Sequence, residues 1–449
     1  MIEASRFDPA VAYAAVDRHR VDDQKPYIYR TRDYGKTWQP IVIGIAANSY
    51  VNAIREDPQN KGLLFAGTEL GIYISFGDGD HWQPLQLNLP VTSVRDITFH
   101  GDDLIIATHG RSFWILDDIT PLRQMTTAAQ GARLYKPTSA VRIDNDVFLG
   151  TPLPPEEPTA KNPPDGAIID YYLPKAAKSL MLEVTDSNGK LVRRYVAGAR
   201  KEQPHPPMPI AERWIPKPVV LENTAGAHRF VWDLRWGSSG SNPETEEEEG
   251  FMAPRGPRAI PGTYQLKLTV DGTSLTQPLK VAMDPRSQIT SAELNEQLRV
   301  GLQIFGEVRA SRKALAEIAT VKKHLTEIEG QSLKHRGELL AQVTELNTMI
   351  NRIERPEKPP APGAIVGLES AATGLGAALR VVESGDRTIP SQAMELYRDA
   401  GKAASDSLAQ WDQLKKTQLS KLNEGLKKAG ISPIQISELE REAEYELTE

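Results

Sequence analysis

The sequence predicts a multidomain protein that is mainly β and ends in an α-helical region. In residues 1–125, short apolar or alternating runs are broken by Gly, Asp, Asn and Pro, which is typical of antiparallel strands. A second group of short strands follows a proline-rich stretch, and from residue 290 apolar residues recur at helical spacing. The predicted segments are a partial β-propeller of two to three blades at 1–125, a proline-rich connector at 126–164, a β-sandwich with loop insertions at 165–285, a helical bundle or hairpin at 286–430 and a charged tail at 431–449.

Composition narrows the possible functions. The 449 residues include 53 Lys and Arg, 59 Asp and Glu and no cysteine, for a formal net charge of −6. Without cysteine there are no disulfides, thiol nucleophiles or cysteine-ligated metals, and no cofactor is predicted. Charges of both signs are interspersed, so nucleic acid is not an expected partner. The sequence has no run of about 18 apolar residues, so no membrane span is predicted, and the N-terminal residues lack the pattern of an export signal.

The N-terminal strands fall into a repeat. Glu56-Asp57-Pro58 and the run after it match Phe7-Asp8-Pro9 and its strand, and a hairpin that ends in tryptophan follows each. Trp38 and Trp82 lie 44 residues apart, the length of one four-stranded propeller blade. Strands are predicted at 10–16, 27–31, 38–42, 51–55, 63–67, 72–75, 94–99, 104–108 and 113–116.

The first hairpin carries a specific turn motif. Residues 31–38 read Thr-Arg-Asp-Tyr-Gly-Lys-Thr-Trp, which fits the Asp box, Ser/Thr-x-Asp-x-Gly-x-Thr-Trp. Thr31 opens this box, Asp33 can accept backbone N–H bonds across the turn, and Gly35 supplies a positive φ. Trp38 is predicted to anchor the hairpin within the blade.

A degenerate second copy occupies residues 75–82. It keeps Ser75, Gly79 and Trp82, but its aspartate, Asp78, is shifted by one place. The run Asp78-Gly79-Asp80 contains possible calcium ligands, yet no glutamate follows at the spacing of an EF-hand loop. We therefore predict structural turns in both hairpins and no metal.

The remaining segments follow from turn signals and helical spacing. Asp186-Ser187-Asn188-Gly189 and Asp271-Gly272 predict hairpin turns within a sandwich of six or seven strands. Proline-rich 201–218 and acidic 237–261 are predicted loops. Ser291 is the predicted N-cap of a first long helix. Sandwich strands are predicted at 167–173, 179–185, 191–196, 228–234, 262–270 and 273–281, and further helices near 333–353, 365–382 and 391–426.

Residues 29–38, Phe65 to Tyr73 and Ala107 to Asp118 resemble the last blades of bacterial sortilin/Vps10-like propeller proteins with BNR (Asp-box) repeats. Segments 182–186, 230–235 and 261–264 are similar to the Ig/FnIII-like module that follows the propeller in that group. The resemblance covers about residues 5–285. Members are often labelled glycosyl hydrolases on repeat similarity alone.

The resemblance also implies an incomplete ring. A closed propeller takes at least four blades, and this sequence supplies two to three. The chain is therefore expected to be the C-terminal portion of a longer protein, periplasmic or secreted in its intact form. Its open blade faces would be covered by the sandwich, by the helices, by missing N-terminal blades or by another chain.

Candidate binding residues lie at two places. His109 and Arg111 sit at a predicted strand end, where a propeller would present them at the channel mouth; alternatively Gly110 makes a tight turn and Arg111 pairs with Asp117 or Asp118. Trp236, beside a glycine, is the tryptophan of the sandwich expected at the surface, whereas Trp232 is expected in the core.

No complete catalytic constellation is recognisable. A retaining sialidase needs a tyrosine nucleophile, an acid and an arginine cluster, and the pattern offers only single residues such as Tyr27, Tyr29 and Arg30. We predict a non-catalytic binding or scaffold protein whose ligand is a protein, peptide or glycan. The alternative is a sialidase-like glycoside hydrolase whose active site lies partly in blades outside this chain.

Overall fold

The computed structural model describes residues 1–125, 131–143, 162–198, 220–237, 255–331, 337–356 and 364–434. The chain forms two compact units. Unit 1 comprises Met1–Thr138 with Lys161–Pro163 and Asp170–Pro174, and unit 2 comprises Ser139–Ala160, Pro164–Ile169 and Lys175–Glu449. Strands dominate up to residue 283 and helices follow, so the prediction of a mainly β chain with a C-terminal helical region is confirmed. Most of the predicted connector, all of the loop predicted at 201–218, most of the loop predicted at 237–261 and nearly all of the tail lie outside the described residues.

Unit 1 contains three antiparallel sheets, each with its strands in chain order. Nine of its strands lie within a few residues of their predicted positions, whereas the short strands Ile2–Ala4 and Gln83–Pro84 were not predicted. The first sheet is β1 (Ile2–Ala4), β2 (Ala12–Ala15), β3 (Ile28–Thr31) and β4 (Gln39–Pro40); the second is β5 (Val51–Glu56), β6 (Leu64–Thr68), β7 (Gly71–Ser75) and β8 (Gln83–Pro84); the third is β9 (Val94–His100), β10 (Asp103–Thr108) and β11 (Phe113–Leu116).

Two apolar layers hold these sheets together. Tyr13 and Ile28 of the first sheet share one buried cluster with Leu64 of the second. Phe65 of the second sheet shares another with Ile106 of the third. Successive residues of a strand point to opposite faces, so β6 is apolar on both sides because the second sheet is covered on both sides.

A buried ion pair fixes the end of the third sheet. After β11 the chain forms helix α1 (Thr120–Gln124), and Arg123 places its Nε 3.0 and 3.1 Å from the carboxylate oxygens of Asp57. Asp57, which is fully buried, also accepts hydrogen bonds from the backbone N–H groups of Gln59 and Asn60, each at 2.8 Å. The Asp-Pro start of the second repeat therefore serves as an electrostatic anchor.

Eight strands, β12 to β19, follow residue 131, and their ranges are given at the end of this paragraph. Five of them form one sheet in the order β13-β19-β18-β15-β16, in which β13 runs parallel to β19. Asp271 and Gly272 have φ of 48° and 85°, as an Asp-Gly hairpin turn requires. The Ig/FnIII-like identity of this region stays a prediction. The ranges are β12 (Arg133–Leu134), β13 (Ala140–Arg142), β14 (Ala167–Leu173), β15 (Leu180–Thr185), β16 (Leu191–Val196), β17 (Gly226–Trp232), β18 (Gly262–Val270) and β19 (Thr273–Met283).

The helices of unit 2 pack around two apolar clusters. In one cluster, Val300 and Ile304 of the first long helix pack with the helices at 368–382 and 391–414. In the other, Ile318 and Val321 of the same helix pack with Trp411 and with the helices at 337–354 and 420–428. Within the described residues, no helix combines the length and apolar character needed to cross a membrane. The helices are α2 (Ser291–Gln331), α3 (Gly337–Glu354), α4 (Leu368–Val382), α5 (Ser391–Leu414), a π-helical segment (Lys415–Leu419) and α6 (Ser420–Lys428).

The first long helix is capped one residue earlier than predicted. The Thr290 hydroxyl accepts a hydrogen bond from the backbone N–H of Glu293 at 3.3 Å, and the Glu293 carboxylate accepts the Thr290 N–H at 2.9 Å. This reciprocal pair is a capping box, so Thr290 and not Ser291 is the N-cap. Hydrogen bonds that its carboxylate accepts from the Thr388 hydroxyl and from the N–H and hydroxyl of Thr290 lower the pKa of Glu293 from 4.5 to about 2.

This cap should make α2 acid-sensitive. Because the pKa of Glu293 is lowered in the folded state, its stabilising effect is complete above the ordinary value and disappears as the pH falls through about 2. We expect Glu293→Gln to flatten the decline of the helical melting temperature between about pH 5 and about pH 2. Glu395→Gln, at an exposed site on α5, is the matched control. Equal slopes for both variants in a circular dichroism melt would contradict this role of Glu293.

Candidate functional site

The first strands of the three sheets form a polar edge in unit 1. β5 contacts both β1 and β9, and Arg55 on β5 reaches both neighbours. Its Nη1 lies 3.5 Å from Oε2 of Glu3 and its Nη2 lies 3.0 Å from Oδ1 of Asp96. Its Nε donates to the Ile97 carbonyl at 2.9 Å. One guanidinium thus joins the three sheets. We use the name polar edge for the side chains of Glu3, Asn52, Arg55, Arg95 and Asp96 on these first strands together with Glu69, which follows β6.

A second arginine organises the end of this edge. Arg95 donates from Nη1 to Oδ1 of Asn52 at 3.2 Å and from Nη2 to Oε2 of Glu69 at 3.4 Å. Burial opposes ionisation of Glu69, yet hydrogen bonds from Ser93 and Tyr50 and the nearby charges of Arg95 and His109 lower its pKa. Glu69 is therefore held as a carboxylate.

An imidazole and a phenol lie beside Glu69. The rings of His19 and Tyr50 stack with centroids 4.8 Å apart, and Nδ1 of His19 lies 2.6 Å from Oδ1 of Asp17. Burial and the hydrogen bond to Glu69 raise the pKa of Tyr50. Burial works against the charge of Asp17, but the hydrogen bonds from His19 outweigh it and lower the pKa of this carboxyl group. Both carboxylates at this end of the edge are thus ionised and already hydrogen-bonded.

Of the predicted binding residues, His109 comes near the polar edge. Its backbone N–H donates to the Ser93 carbonyl at 2.8 Å, its side chain is exposed, and it contributes to the lowered pKa of Glu69. Arg111 is exposed in a turn where Gly110 and Ser112 have φ of 87° and 62°. The functional role of this pair stays a prediction.

Trp236 is not at the surface, so that prediction is wrong. Its residue is 3% exposed, with Nζ of Lys190 5.0 Å from the ring. The backbone explains the burial: the Trp236 N–H donates to the Pro257 carbonyl at 2.9 Å, and the Gly237 N–H donates to the Val192 carbonyl at 2.8 Å. Trp232 is fully buried, as expected.

The first box turn is closed by side-chain hydrogen bonds. Oγ1 of Thr31 accepts the Gly35 N–H at 2.9 Å, and Oδ1 of Asp33 accepts the Thr37 N–H at 2.8 Å. Tyr34 and Gly35 have φ of 61° and 82°. The side chains of Thr31 and Asp33 therefore satisfy backbone donors in a turn with two successive left-handed residues.

The second turn has the same backbone but uses its aspartate differently. Oγ of Ser75 accepts the Gly79 N–H at 3.1 Å, and Asp78 and Gly79 have φ of 56° and 88°. Asp78 therefore occupies the position of Tyr34, and its carboxylate turns to the first sheet. There it accepts hydrogen bonds from the Tyr13 hydroxyl and from Arg32, the latter at 2.6 Å.

Asp78 is therefore a link between sheets and not the acceptor that closes its own turn. Arg30, which is buried, also approaches it, with Nη1 3.2 Å from Oδ2 of Asp78 and 2.9 Å from Oδ1 of Asp80. Both carboxylates of the possible calcium run thus contact arginine. In the part of the chain that the structure describes, no three His, Cys, Asp or Glu side chains form a metal-binding group.

The two box tryptophans have opposite environments. Trp82 is 1% exposed; its Nε1 donates to the Ile41 carbonyl and its N–H to the Ile43 carbonyl, both at 2.8 Å. Trp38 is 41% exposed, so the prediction that it anchors its blade is wrong. The reason is that Trp82 packs against residues 41–44, the segment that follows β4 of the first sheet, whereas Trp38 itself belongs to that first sheet.

Comparisons with known proteins give no family. No protein-family model and no curated protein matches the chain. Among solved structures, the chain is similar to an ancestral GH74 enzyme (23% identity, 25% of this chain and 13% of that one, TM-score 0.21). It is also similar to YCF48 bound to D1 peptide (12% identity, 44% of this chain and 53% of that one, TM-score 0.19). A third similar structure is the extracellular domain of BT4673 from B. thetaiotaomicron (11% identity, 62% of this chain and 30% of that one, TM-score 0.19). The chain thus spans only about an eighth to a half of their lengths, and TM-scores this low carry no argument about fold or function.

Proposed function

We propose that the chain is a non-catalytic binding or scaffold protein built on an arc of β-propeller blades, of the sortilin-like BNR type that its motifs resemble. Three antiparallel meanders packed face to face, with their first strands along one edge, support the propeller arrangement. The polar edge with His19, Tyr50 and His109 is the proposed contact surface for a protein, peptide or glycan. The strands that follow would form an Ig/FnIII-like module.

The state of the carboxylates at the edge supports binding over catalysis. A glycosidase needs one carboxyl group that stays protonated to act as the acid, usually because burial raises its pKa. Glu69 and Asp17 have lowered pKa values and their oxygens accept hydrogen bonds, so neither is prepared to donate a proton. The alternative, a sialidase-like hydrolase completed by other blades, would need an acid from outside these residues.

An activity screen tests this proposal. The full chain is assayed on aryl glycosides and sialosides beside Glu69→Gln and Asp17→Asn, with Glu395→Gln as a distant control. We expect no turnover above background for any of the four proteins. Turnover by the natural chain that falls in Glu69→Gln or Asp17→Asn and persists in Glu395→Gln would overturn the non-catalytic proposal.

A further inference from the structure

We propose that the outer face of the first sheet, around Trp38, is a docking site for a further β-meander of the same repeat type. The inference rests on the propeller arrangement in the proposed function, but its test reads the environment of one side chain and is independent of activity. It follows from comparing two repeats within one chain, of which one is covered and the other is open.

The two repeats are equivalent residue by residue from β3 to β4 and from β7 to β8. Tyr29 pairs with Pro40 in the first sheet, and 44 residues later Tyr73 pairs with Pro84 in the second. The left-handed pair Tyr34-Gly35 likewise corresponds to Asp78-Gly79. Trp38 and Trp82 therefore occupy the same position at the end of the same turn.

The structure shows what such a tryptophan contacts when it is covered. Trp82 is held by the carbonyl groups of Ile41 and Ile43, which lie in the segment that follows β4 of the first sheet. Gly44 completes the seat: its φ is +101°, and a Cβ there would lie 2.0 Å from the Trp82 carbonyl oxygen. The face around such a tryptophan is thus complemented by an apolar segment that ends in glycine and whose carbonyl groups at alternate residues can accept hydrogen bonds.

The first sheet offers the same surface without a cover in the described chain. Trp38 is accompanied by Tyr34, which is 74% exposed, and by Ile2, which is 72% exposed. Tyr29 and Ala14 pair across β3 and β2, and Ile2 pairs with Ala14 across β1, so their side chains lie in one row. Asp78, the equivalent of Tyr34, is by contrast drawn into contact with the sheet before it.

The occupant we infer is therefore a meander that ends as the first sheet itself ends, in a segment like Pro40 to Gly44. A generic apolar ligand would cover area but would not supply two carbonyl acceptors at alternate residues. The indole N–H of Trp38 needs such an acceptor when it is taken out of water, because an unpaired buried donor is costly.

The experiment adds the occupant to the full chain. Residues 1–49 are duplicated in front of Met1, which sets the added repeat at the spacing between β1 and β5. Both proteins are labelled with fluorotryptophan. Because the added copy brings its own Trp38, the fluorine resonance of the original Trp38 is assigned by Trp38→Phe in the original copy alone. We expect Trp38 to respond to a soluble paramagnetic probe in the natural chain and to lose at least about half of that response in the duplicated chain, because a buried indole is shielded from solvent.

The matched control carries Gly44→Val in the added copy alone, which blocks the seat without changing the length of the chain. We expect the original Trp38 to stay accessible there. We also expect Trp38→Ala in the original copy to lower the melting temperature of the duplicated chain more than it lowers that of the natural chain. The proposal is overturned if the original Trp38 stays accessible in the duplicated chain, whether or not the added copy folds. Protection of Trp38 in the natural chain that grows with protein concentration also overturns it, since the occupant would then be a second copy of this chain.

Discussion

Replacing Trp82 by alanine is expected to cost about 3–5 kcal/mol in the free energy of unfolding of unit 1, because a large side chain is removed from a packed layer. The indole belongs to the cluster that includes Tyr13, Ile28 and Leu64, and its loss leaves the Ile41 carbonyl without its donor. Trp38→Ala removes the same side chain from the equivalent position. There we expect less than about 1 kcal/mol, because the site is open to solvent.

Urea unfolding of the two variants, followed by near-ultraviolet circular dichroism, measures this difference. The pair controls for composition and for position in the hairpin, so only the environment of the indole differs. Equal losses in the two variants would mean that the first sheet is covered in solution. A small loss for Trp82→Ala would mean that the two sheets do not pack as described.

Removing Asp386 is expected to destabilise unit 2 by about 3–5 kcal/mol, because it removes the carboxylate that two buried arginines share. Asp386 Oδ1 lies 2.7 Å from Nη2 of Arg142 and 2.9 Å from Nη2 of Arg258. Arg142 is 2% exposed and also donates to the Arg258 and Ala259 carbonyls. This cluster joins β13, the segment before β18 and the end of α4, so its loss should loosen strands and helices together.

Far-ultraviolet circular dichroism during urea unfolding measures the effect of Asp386→Ala. Asp386→Asn, which keeps an oxygen acceptor but loses the charge, should lie between Asp386→Ala and the natural chain. Asp406→Ala, at an exposed site on α5, should change stability by less than about 0.5 kcal/mol. A loss for Asp386→Ala no larger than for Asp406→Ala would contradict the role of this cluster.

Much of the fold could be predicted because its signals are local. Alternation located the strands, and glycine after aspartate located the turns, since both depend on a few adjacent residues. β13 was missed because three residues that pair in parallel with β19 carry no local pattern. The N-cap was placed one residue late because both Thr290 and Ser291 can cap a helix, and only the reciprocal bond to Glu293 distinguishes them.

The candidate site was harder to predict because it is assembled by packing between sheets. Trp38 and Trp82 have the same motif, and the sequence does not reveal that the environment of such a tryptophan depends on the preceding repeat, which covers Trp82 and not Trp38. Arg55 and Arg95 of the polar edge were not predicted as site residues. A charged residue among apolar neighbours, as in strands 51–56 and 94–100, nevertheless indicates a strand with one solvent-exposed face. Trp236 was misplaced because its burial depends on Val192 and Pro257, which are distant in the sequence.

The accessibility of Trp38 and Trp82 in the natural full chain is the most direct test of an arc with one open blade face. With fluorotryptophan labelling, the two resonances are assigned by Trp38→Phe and Trp82→Phe, and a soluble paramagnetic probe is titrated at low protein concentration. We expect strong broadening of the Trp38 resonance and little change in that of Trp82. Equal protection of both side chains would contradict the open face, and equal exposure would contradict the packing of the second sheet on the first.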